Sequence, residues 1–317
     1  MHLNRRGLLA GASSSATVAL LNASKASVAF AEPAFPNSGG TDLPRFKAPA
    51  DACDSHIHVF NPARFAMLPG TQYPDRAAIA DYRLMQRRLG MSRTVIVTPR
   101  PYGTDNRVTM DAVSQLGIDN ARGVVVVPPD VGTRELRAMA DAGACGIRFT
   151  VHNPQTSVVQ IDMIEPLAKR IADLGLHLQL HLRADQIVQA SDMLKRLPAT
   201  LVFDHMARLP QPAGLRHAGY KVVMDLIEQG RTWIKVSGPY QDSKAGPPDY
   251  DDVADVARAF IKAAPERVVW GSDWPHTTEK DKPDGANLID LLAKWCGDDL
   301  SVRRILVDNP RSLYQFR

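Results

Sequence analysis

The chain is poor in cysteine, with only Cys53, Cys145 and Cys296 among its 317 residues. An odd number of cysteines leaves at least one unpaired, which excludes a protein held together by a disulfide framework. Long apolar runs are also missing after residue 31, where nothing approaches the roughly 18 apolar residues that a membrane-spanning helix requires. With 44% hydrophobic and 23% charged residues, the composition is typical of a globular protein with a hydrophobic core. We expect no stable insertion into a membrane.

An excess of positive charge is likewise missing from most of the chain. The formal net charge is +4, but residues 1–31 hold three of the 38 basic residues and none of the 34 acidic ones. The remainder therefore carries 35 basic against 34 acidic residues. Without a basic patch to neutralise phosphates, the sequence argues against nucleic acid as a partner.

The first 31 residues are typical of an export signal. Arg5 and Arg6 precede a stretch rich in Ala, Leu and Ser, and Ala29-Phe30-Ala31 offers the small residues of a cleavage site. The arginine pair favours the twin-arginine route, which exports folded proteins. An ordinary secretory signal with a chance arginine pair and a retained membrane anchor are the alternatives. We predict a twin-arginine signal peptide over 1–31 and a periplasmic mature protein.

Beyond a predicted linker over 32–50, in which Pro, Gly and Ser are interspersed, short apolar runs alternate with amphipathic segments. Continuous apolar runs such as Val124–Val127 are typical of parallel strands buried on both faces. Segments such as Ile161–Leu174 and Val253–Ala264 carry apolar residues at the three- and four-residue spacing of a helix. The eight predicted strands are Ala52–His58, Thr94–Thr98, Gly123–Val127, Gly146–Thr150, Leu176–Leu182, Thr200–His205, Trp233–Ser237 and Arg267–Ser272.

Eight strands alternating with helices over roughly 265 residues predict a (β/α)8 TIM barrel spanning 51–317. A doubly wound sheet is the alternative, but no Gly-rich phosphate loop follows any predicted strand. A barrel places functional side chains at the carboxyl ends of its strands. Polar residues do end the first, fourth, fifth, sixth and eighth predicted strands.

Histidines and one arginine stand out among these strand ends. His56 and His58 alternate along the first strand, so both face the same way and suit a divalent metal or an anion. Arg148 in the fourth strand is costly to bury unpaired, so it should face a ligand or form a structural ion pair with an acid. His181 ends the fifth strand and is either a metal ligand or a hydrogen-bonded core residue.

The sixth predicted strand ends in Asp204-His205 and the eighth is followed by Asp273. A carboxylate directly after an apolar strand is typical of an active-site acid. A helix N-cap or a loop salt bridge is the alternative role for it. The joint pattern at five strand ends nevertheless predicts one polar site in the mouth of the barrel.

With these residues in place, the chain resembles the amidohydrolase superfamily. The resemblance is to the branch that contains 2-pyrone-4,6-dicarboxylate lactonase, 4-sulfomuconolactone hydrolase and galactarolactone isomerase. The segments that carry it are DSHIHVF (54–60), LPGTQYP (68–74), GTDN (103–106), GIRF (146–149), VFDHMAR (202–208), WGSDWPH (270–276) and DNPRSLY (308–314).

The resemblance implies a distorted (β/α)8 barrel and lactone or related carbonyl chemistry. It makes a catalytic group of His56, His58, His205 and Asp273. It also implies that Arg148 anchors a substrate carboxylate and that Tyr73 contacts the substrate. Three further residues in the loops are candidate pocket residues, with ordinary loop packing as the alternative: Tyr240, Arg208 and His276.

Two departures from the branch bear on substrate and cofactor. The loops after strands four and seven, at 152–155 and 238–241, lack the arginines expected in the pyrone dicarboxylate lactonase, which favours a substrate with fewer or differently placed anionic groups. His181 occupies a position where metal-dependent superfamily members carry a ligand. The set His56, His58, His181 and Asp273 could therefore hold one zinc or manganese ion, while metal-free catalysis with Asp273 as general base stays open.

We expect a hydrolase that opens a small anionic lactone, such as 4-sulfomuconolactone or a sugar-acid lactone. A metal-dependent decarboxylase and a lactone isomerase of the same superfamily are the alternatives, and a non-enzymatic binding protein is a third. The isomerase branch is expected to carry Asn where this chain has Asp273, so the aspartate favours hydrolysis. The sequence leaves the oligomeric state open.

Overall fold

A computed structural model describes residues 35–317. The predicted signal peptide over 1–31 lies outside the described residues. Within the described part of the chain, no helix combines the length and the apolar character needed to cross a membrane.

Eight parallel strands form a single sheet in sequence order, which confirms the predicted barrel. Each predicted strand overlaps an observed one, with bounds that differ by a few residues. The strands are β1 (Cys53–Ile57), β2 (Arg93–Val97), β3 (Ala121–Val125), β4 (Ala144–Thr150), β5 (His177–His181), β6 (Leu201–Phe203), β7 (Thr232–Val236) and β8 (Val268–Trp270).

Helices follow the strands and cover the outside of the barrel. Their apolar faces pack on the outward-facing side chains of the strands, including Ile96, Ile147, Leu180 and Ile234, in one continuous core. The helices are α1 (Ile79–Leu89), α2 (Arg107–Leu116), α3 (Thr133–Asp141), α4 (Ile164–Ala172), α5 (Ala184–Gln189), α6 (Ser191–Arg196), α7 (Ala218–Glu228), α8 (Asp251–Ala263), α9 (Gly285–Cys296), α10 (Asp299–Arg303) and α11 (Asn309–Tyr314).

The barrel closes irregularly between its first and last strands. Beyond the end of β8, Ile57 and Trp274 form an isolated parallel bridge. Two backbone hydrogen bonds support it, from the His58 amide to the Trp274 carbonyl (2.8 Å) and from the Asp273 amide to the His56 carbonyl (2.9 Å). The closure therefore fixes His56, His58 and Asp273 side by side.

A bulge in β1 determines which of its side chains face the barrel axis. Asp54 pairs with Thr94 and Ile57 with Ile96, so three steps on β1 match two on β2. The extra residue shifts the alternation of inward-facing and outward-facing side chains along the strand. Cys53 consequently joins the buried cluster inside the barrel, and His56 still turns towards the site at the carboxyl end.

Residues 35–50, part of the predicted linker, contain no helix or strand but are fixed on the barrel. The carbonyl of Pro36 accepts a 2.7 Å hydrogen bond from the indole Nε1 of Trp274. Arg88, whose side chain is fully buried, donates to Ser38 and to backbone carbonyls of the same segment and pairs with Asp284 at 2.8 Å. We call residues 35–48 the N-terminal arm.

Candidate active site

A cavity of about 720 Å³ opens at the carboxyl ends of the strands. The cavity is lined by side chains that lie just after several different strands. This is the end of a (β/α)8 barrel that carries the functional groups. Of the predicted site residues, seven line this cavity: His58, Arg148, His181, His205, Arg208, Tyr240 and Asp273.

Three polar atoms meet at the floor of the cavity, which His58 and Asp273 line and His56 adjoins. The Nε2 atoms of His56 and His58 are 3.4 Å apart, and Oδ1 of Asp273 lies 3.6 Å and 3.8 Å from them. The Nδ1 atom of His58 is 2.8 Å from the carbonyl of Val97. Because a carbonyl only accepts, Nδ1 carries the proton and Nε2 presents a lone pair. Burial lowers the pKa of His58 to about 3, so this imidazole is neutral.

The two oxygens of Asp273 have different surroundings. Oδ2 accepts hydrogen bonds from the Tyr240 hydroxyl (2.7 Å) and from Nε2 of Gln241 (3.0 Å). Oδ1 faces the two histidines instead. Burial raises the pKa of Asp273 to about 6, and the Tyr240 hydrogen bond opposes that rise. The residue has φ = 61°, a left-handed conformation that is uncommon outside glycine and typical of turns at functional sites.

A charged network lies beneath these groups, on the barrel axis. Asp204 accepts from Nε of Arg148 at 2.9 Å, and its other oxygen lies 3.7 Å from Nζ of Lys235 and 3.3 Å from Nδ1 of His56. Lys235 is fully buried and donates to Oε1 of Gln179 and to the Ser55 carbonyl. Burial alone would raise the pKa of Asp204, but Arg148, His56 and Lys235 hold it well below its usual range.

Two positive charges around one carboxylate leave a net positive field below the histidines. Burial lowers the pKa of His56 well below its ordinary value, and Lys235 adds to that effect. The pKa of Lys235 itself is lowered by burial to about 8. The field therefore keeps His56 neutral and available as a ligand or hydrogen-bonding group.

His205 and Arg208 are placed by an unusual turn after β6. All four residues from His205 to Arg208 have positive φ, between 49° and 58°. A left-handed turn of four non-glycine residues costs roughly 1–2 kcal/mol for each residue, and such strain persists where the surrounding structure determines it. The turn brings Nδ1 of His205 within 2.9 Å of the Ser237 hydroxyl. It also pairs Arg208 with Asp242 at 2.7 Å.

His181 lies between two guanidinium groups. Its Nδ1 is 3.2 Å from Nη2 of Arg148, and its Nε2 is 3.0 Å from Nη1 of Arg208. A guanidinium only donates, and a neutral imidazole has one acceptor nitrogen, so only one of these contacts is a hydrogen bond. Burial, followed by Arg148, lowers the pKa of His181 and keeps it neutral. The site consequently has more N–H donors than acceptors at this position.

Two of the predicted substrate contacts do not reach the cavity. Tyr73 is 43% exposed, stacks beside Phe60 and does not line the cavity, although its neighbours Thr71 and Gln72 do. The loop that carries Tyr73 turns this ring outward. His276 is fully buried behind Tyr240, whose hydroxyl is 3.0 Å from Nδ1 of His276.

Sequence reasoning missed two residues that the structure brings to the site. Arg100 lies in the loop after β2 and lines the cavity, so the rule that polar residues after strands gather in the mouth would have found it. Within residues 35–317, Arg148 and Arg208 pair with carboxylates, whereas no carboxylate pairs with Arg100. Lys235 lies between apolar residues in β7. A lysine inside an apolar predicted strand is the sequence feature that could have identified it as a site residue.

The nitrogen and oxygen atoms at the cavity floor fit the ligand set of a divalent metal ion. His56, His58 and Asp273 form one group of metal-compatible atoms within the described chain, and His56, Asp204 and His205 form another. Bonds of about 2.1 Å in tetrahedral geometry place neighbouring ligand atoms about 3.4 Å apart. The first group has separations of 3.4, 3.6 and 3.8 Å. His181, predicted as a fourth ligand, belongs to neither group, because its nitrogens face the two arginines.

The closed barrel and the polar groups at its carboxyl end define an enzyme of the (β/α)8 class. A family model described as amidohydrolase matches residues 53–316, and the chain belongs to this family.

Two curated relatives resemble the chain over most of their length. One is a 2-pyrone-4,6-dicarboxylate hydrolase of Comamonas testosteroni, 35% identical over 86% of this chain and 92% of the relative. Another is a 4-sulfomuconolactone hydrolase of Rhizobium radiobacter, 34% identical over 85% of this chain and 91% of the relative. An apo crystal structure of an Agrobacterium tumefaciens protein superimposes with a TM-score of 0.80 and 27% identity, over 87% of this chain and 99% of that one.

Proposed function

We propose that the protein hydrolyses a small anionic lactone. The observation that carries the proposal is the division of one cavity into two chemically distinct parts. Three atoms that can bind a proton or a metal ion, the Nε2 atoms of His56 and His58 and Oδ1 of Asp273, meet at its floor. Excess N–H donors surround His181 beside them. Opening a lactone needs both, since water must be activated at one point while an anionic, polarised substrate is held next to it.

Asp273 is the proton carrier in this mechanism. Its Oδ1 takes a proton from the attacking water as the water oxygen bonds to the ring carbonyl carbon. The bond from that carbon to the ring oxygen then breaks, and the proton passes to the departing oxygen. The product is the open hydroxy acid. His205, which also lines the cavity, is held by Ser237 in a position to polarise the carbonyl.

Three arginines that line the cavity are the reason for proposing an anionic substrate. Arg148 and Arg208 each keep N–H groups beyond those paired with Asp204 and Asp242, and a carboxylate or sulfonate would relieve the donor excess around His181. Arg100 adds a charge at the outer cavity that no carboxylate of the described chain neutralises. The relatives named for pyrone dicarboxylate and sulfomuconolactone support a substrate of this charge class.

We further propose that His56, His58 and Asp273 hold one zinc or manganese ion. Such an ion, when bound, would take Oδ1 of Asp273 as a ligand and would supply hydroxide at neutral pH by lowering the pKa of water towards 7. Oδ1 takes the proton from water in the metal-free form of the reaction. His58 is prepared for this role because its proton is committed to Val97. The buried carboxylate of Asp204, 3.3 Å from Nδ1 of His56, orients the second imidazole from behind.

The arginine pair and apolar stretch at the start of the chain support export as a folded protein, and we propose a periplasmic location. Fusing residues 1–50 to a reporter that is active only after export tests this. Replacing Arg5-Arg6 by Lys-Lys should abolish export through the twin-arginine route. Unchanged export of the Lys-Lys form would indicate an ordinary secretory signal.

The reaction is tested by incubating the purified protein with a panel of lactones with and without a carboxylate or sulfonate. Hydrolysis releases one proton for each ring opened and yields a hydroxy acid. Decarboxylation would release CO2, and isomerisation would yield a new lactone without net acid. Opening of anionic but not neutral lactones supports the proposal, whereas either of the other product patterns would replace it.

A further inference from the structure

Asp273 receives all of its donors on one oxygen. Both the Tyr240 hydroxyl and the Gln241 amide donate to Oδ2, at 2.7 Å and 3.0 Å. Oδ1 has neither donor and faces His56 and His58. This asymmetry depends on where the Tyr240 hydroxyl points its single proton.

The same hydroxyl contacts His276, which lies outside the cavity lining. Oη of Tyr240 is 3.0 Å from Nδ1 of His276, and the two rings meet edge to face at 83°. The His276 amide donates to the Asp273 carbonyl at 2.8 Å, which closes a turn and carries the imidazole back behind Tyr240. His276 is fully buried and lies outside the cavity lining.

Two proton arrangements fit these three side chains. In the first, Nδ1 of His276 donates to Tyr240, and Tyr240 donates to Asp273. In the second, Tyr240 donates to His276, which must then carry its own proton on Nε2. That atom is buried and has no hydrogen-bond partner among the described residues. A buried N–H without an acceptor bears its full desolvation cost, so the first arrangement is favoured.

We propose that His276 is a positioning residue whose Nδ1–H directs the Tyr240 hydroxyl onto Oδ2 of Asp273 and thereby reserves Oδ1 for the reaction. His276 then acts on catalysis only through Tyr240. The effect on turnover rests on the proposed function of Asp273, whereas the hydrogen-bond chain itself does not depend on any substrate. Burial lowers the pKa of His276 to about 3, consistent with a neutral ring that has one proton to place.

Rescue by a conservative substitution tests the role of the Nδ1–H group. His276→Leu removes the donor and should lower kcat ten- to hundredfold with KM within about twofold, because orientation is lost and substrate contacts are kept. In His276→Asn, the side-chain amide can occupy the position of Nδ1–H, and kcat should return to within about threefold of wild type. Equal losses in both variants, or a loss confined to KM, would overturn the inference.

A double-variant cycle tests whether His276 works through Tyr240. Tyr240→Phe removes the group on which His276 acts, so Tyr240→Phe with His276→Leu should be no slower than Tyr240→Phe alone. Rate losses that multiply would mean that His276 acts by another route and would overturn the proposal. Tyr220→Phe is the matched control. Tyr220 in α7 packs against Phe260 in α8, so this substitution removes a tyrosine hydroxyl away from the site.

A readout without turnover separates this inference from the proposed function. Nitrogen-15 spectra of histidine-labelled protein report which ring nitrogen is protonated, and the His276 signal is assigned by its loss in His276→Asn. We expect the Nδ1–H tautomer in the wild type and a shift towards Nε2–H in Tyr240→Phe. Nε2–H in the wild type would overturn the inference. Nδ1–H in a protein that opens no lactone would uphold it and reject the proposed function alone.

Discussion

Nε of Arg148 and Oδ2 of Asp204 form a 2.9 Å ion pair on the barrel axis, with Nζ of Lys235 3.7 Å from the other carboxylate oxygen. The residue predicted as a substrate anchor is therefore also a structural ion-pair partner, and the sequence had offered these two roles as alternatives. Nε of the guanidinium pairs with Asp204 inside the barrel, whereas Nη2 contacts His181 at the cavity.

Neutralising Asp204 should destabilise the barrel strongly. Asp204→Asn leaves Arg148 and Lys235 buried without a counter-charge, and removing one partner of a buried pair typically costs about 3–5 kcal/mol in the free energy of unfolding. Asp242→Asn is the matched control, because the Arg208–Asp242 pair is reached by solvent and should cost less. Urea unfolding followed by circular dichroism measures both. Losses of equal size would contradict the special role of the axial network.

Asp273→Asn should abolish turnover and leave the fold intact. Asparagine fits the space of aspartate and tolerates the left-handed φ of 61° at this position, so the backbone has no reason to change. It cannot take a proton from water, and we expect kcat to fall at least about a thousandfold, within the range seen for lost catalytic groups. Steady-state rates measure the loss of turnover, and thermal melts measure whether the fold is intact. An active Asp273→Asn enzyme would remove Asp273 from the mechanism.

Gly238→Ala should damage the site more than the fold. A Cβ at Gly238, where φ is 53°, would lie 2.9 Å from both Nδ1 of His205 and Nε2 of Gln241. Gly230 has φ of 82° with nothing within 4 Å of an added Cβ, so Gly230→Ala has comparable backbone strain without the contact. Both should lose roughly 1–2 kcal/mol of stability, because alanine is strained at a positive φ. Only Gly238→Ala should lose tenfold or more in kcat/KM, and equal activity in the two would refute the contact argument.

Elemental analysis of protein purified without chelator should find about one zinc or manganese ion per chain, as the donor set at the floor implies. His58→Asn should lose the ion, because Nε2 of His58 is one of the three atoms that face each other there. His181→Asn should keep it, since the nitrogens of His181 face the two arginines and belong to neither group of metal-compatible atoms. Loss of metal in both variants would support the four-residue ligand set predicted from sequence, and loss in His181→Asn alone would contradict the group of three.

The strands and the position of the site were predictable because they depend on local signals. Apolar runs such as Val124–Val127 report burial on both faces. The carboxyl ends of parallel strands meet by topology, so His58, Arg148 and Asp273 had to converge once the barrel was assumed. The bulge in β1 was not predictable, and neither was its effect on Cys53.

What the sequence could not supply is backbone conformation outside the regular elements. The surroundings of His181 depend on Arg208, whose position requires four consecutive left-handed residues in a segment without glycine. No propensity predicts such a turn, because only the packing around it determines it. The direction of Tyr73 and the burial of His276 depend in the same way on loops.

The N-terminal arm links the start of the described chain to the chemistry at the opposite end of the sequence. Pro36 holds the indole of Trp274, and Trp274 directly follows Asp273. The proposed cleavage after Ala31 would spare this contact, whereas a cut beyond Pro36 would remove it. The segment that directly follows the proposed signal peptide thus contributes to the surroundings of Asp273.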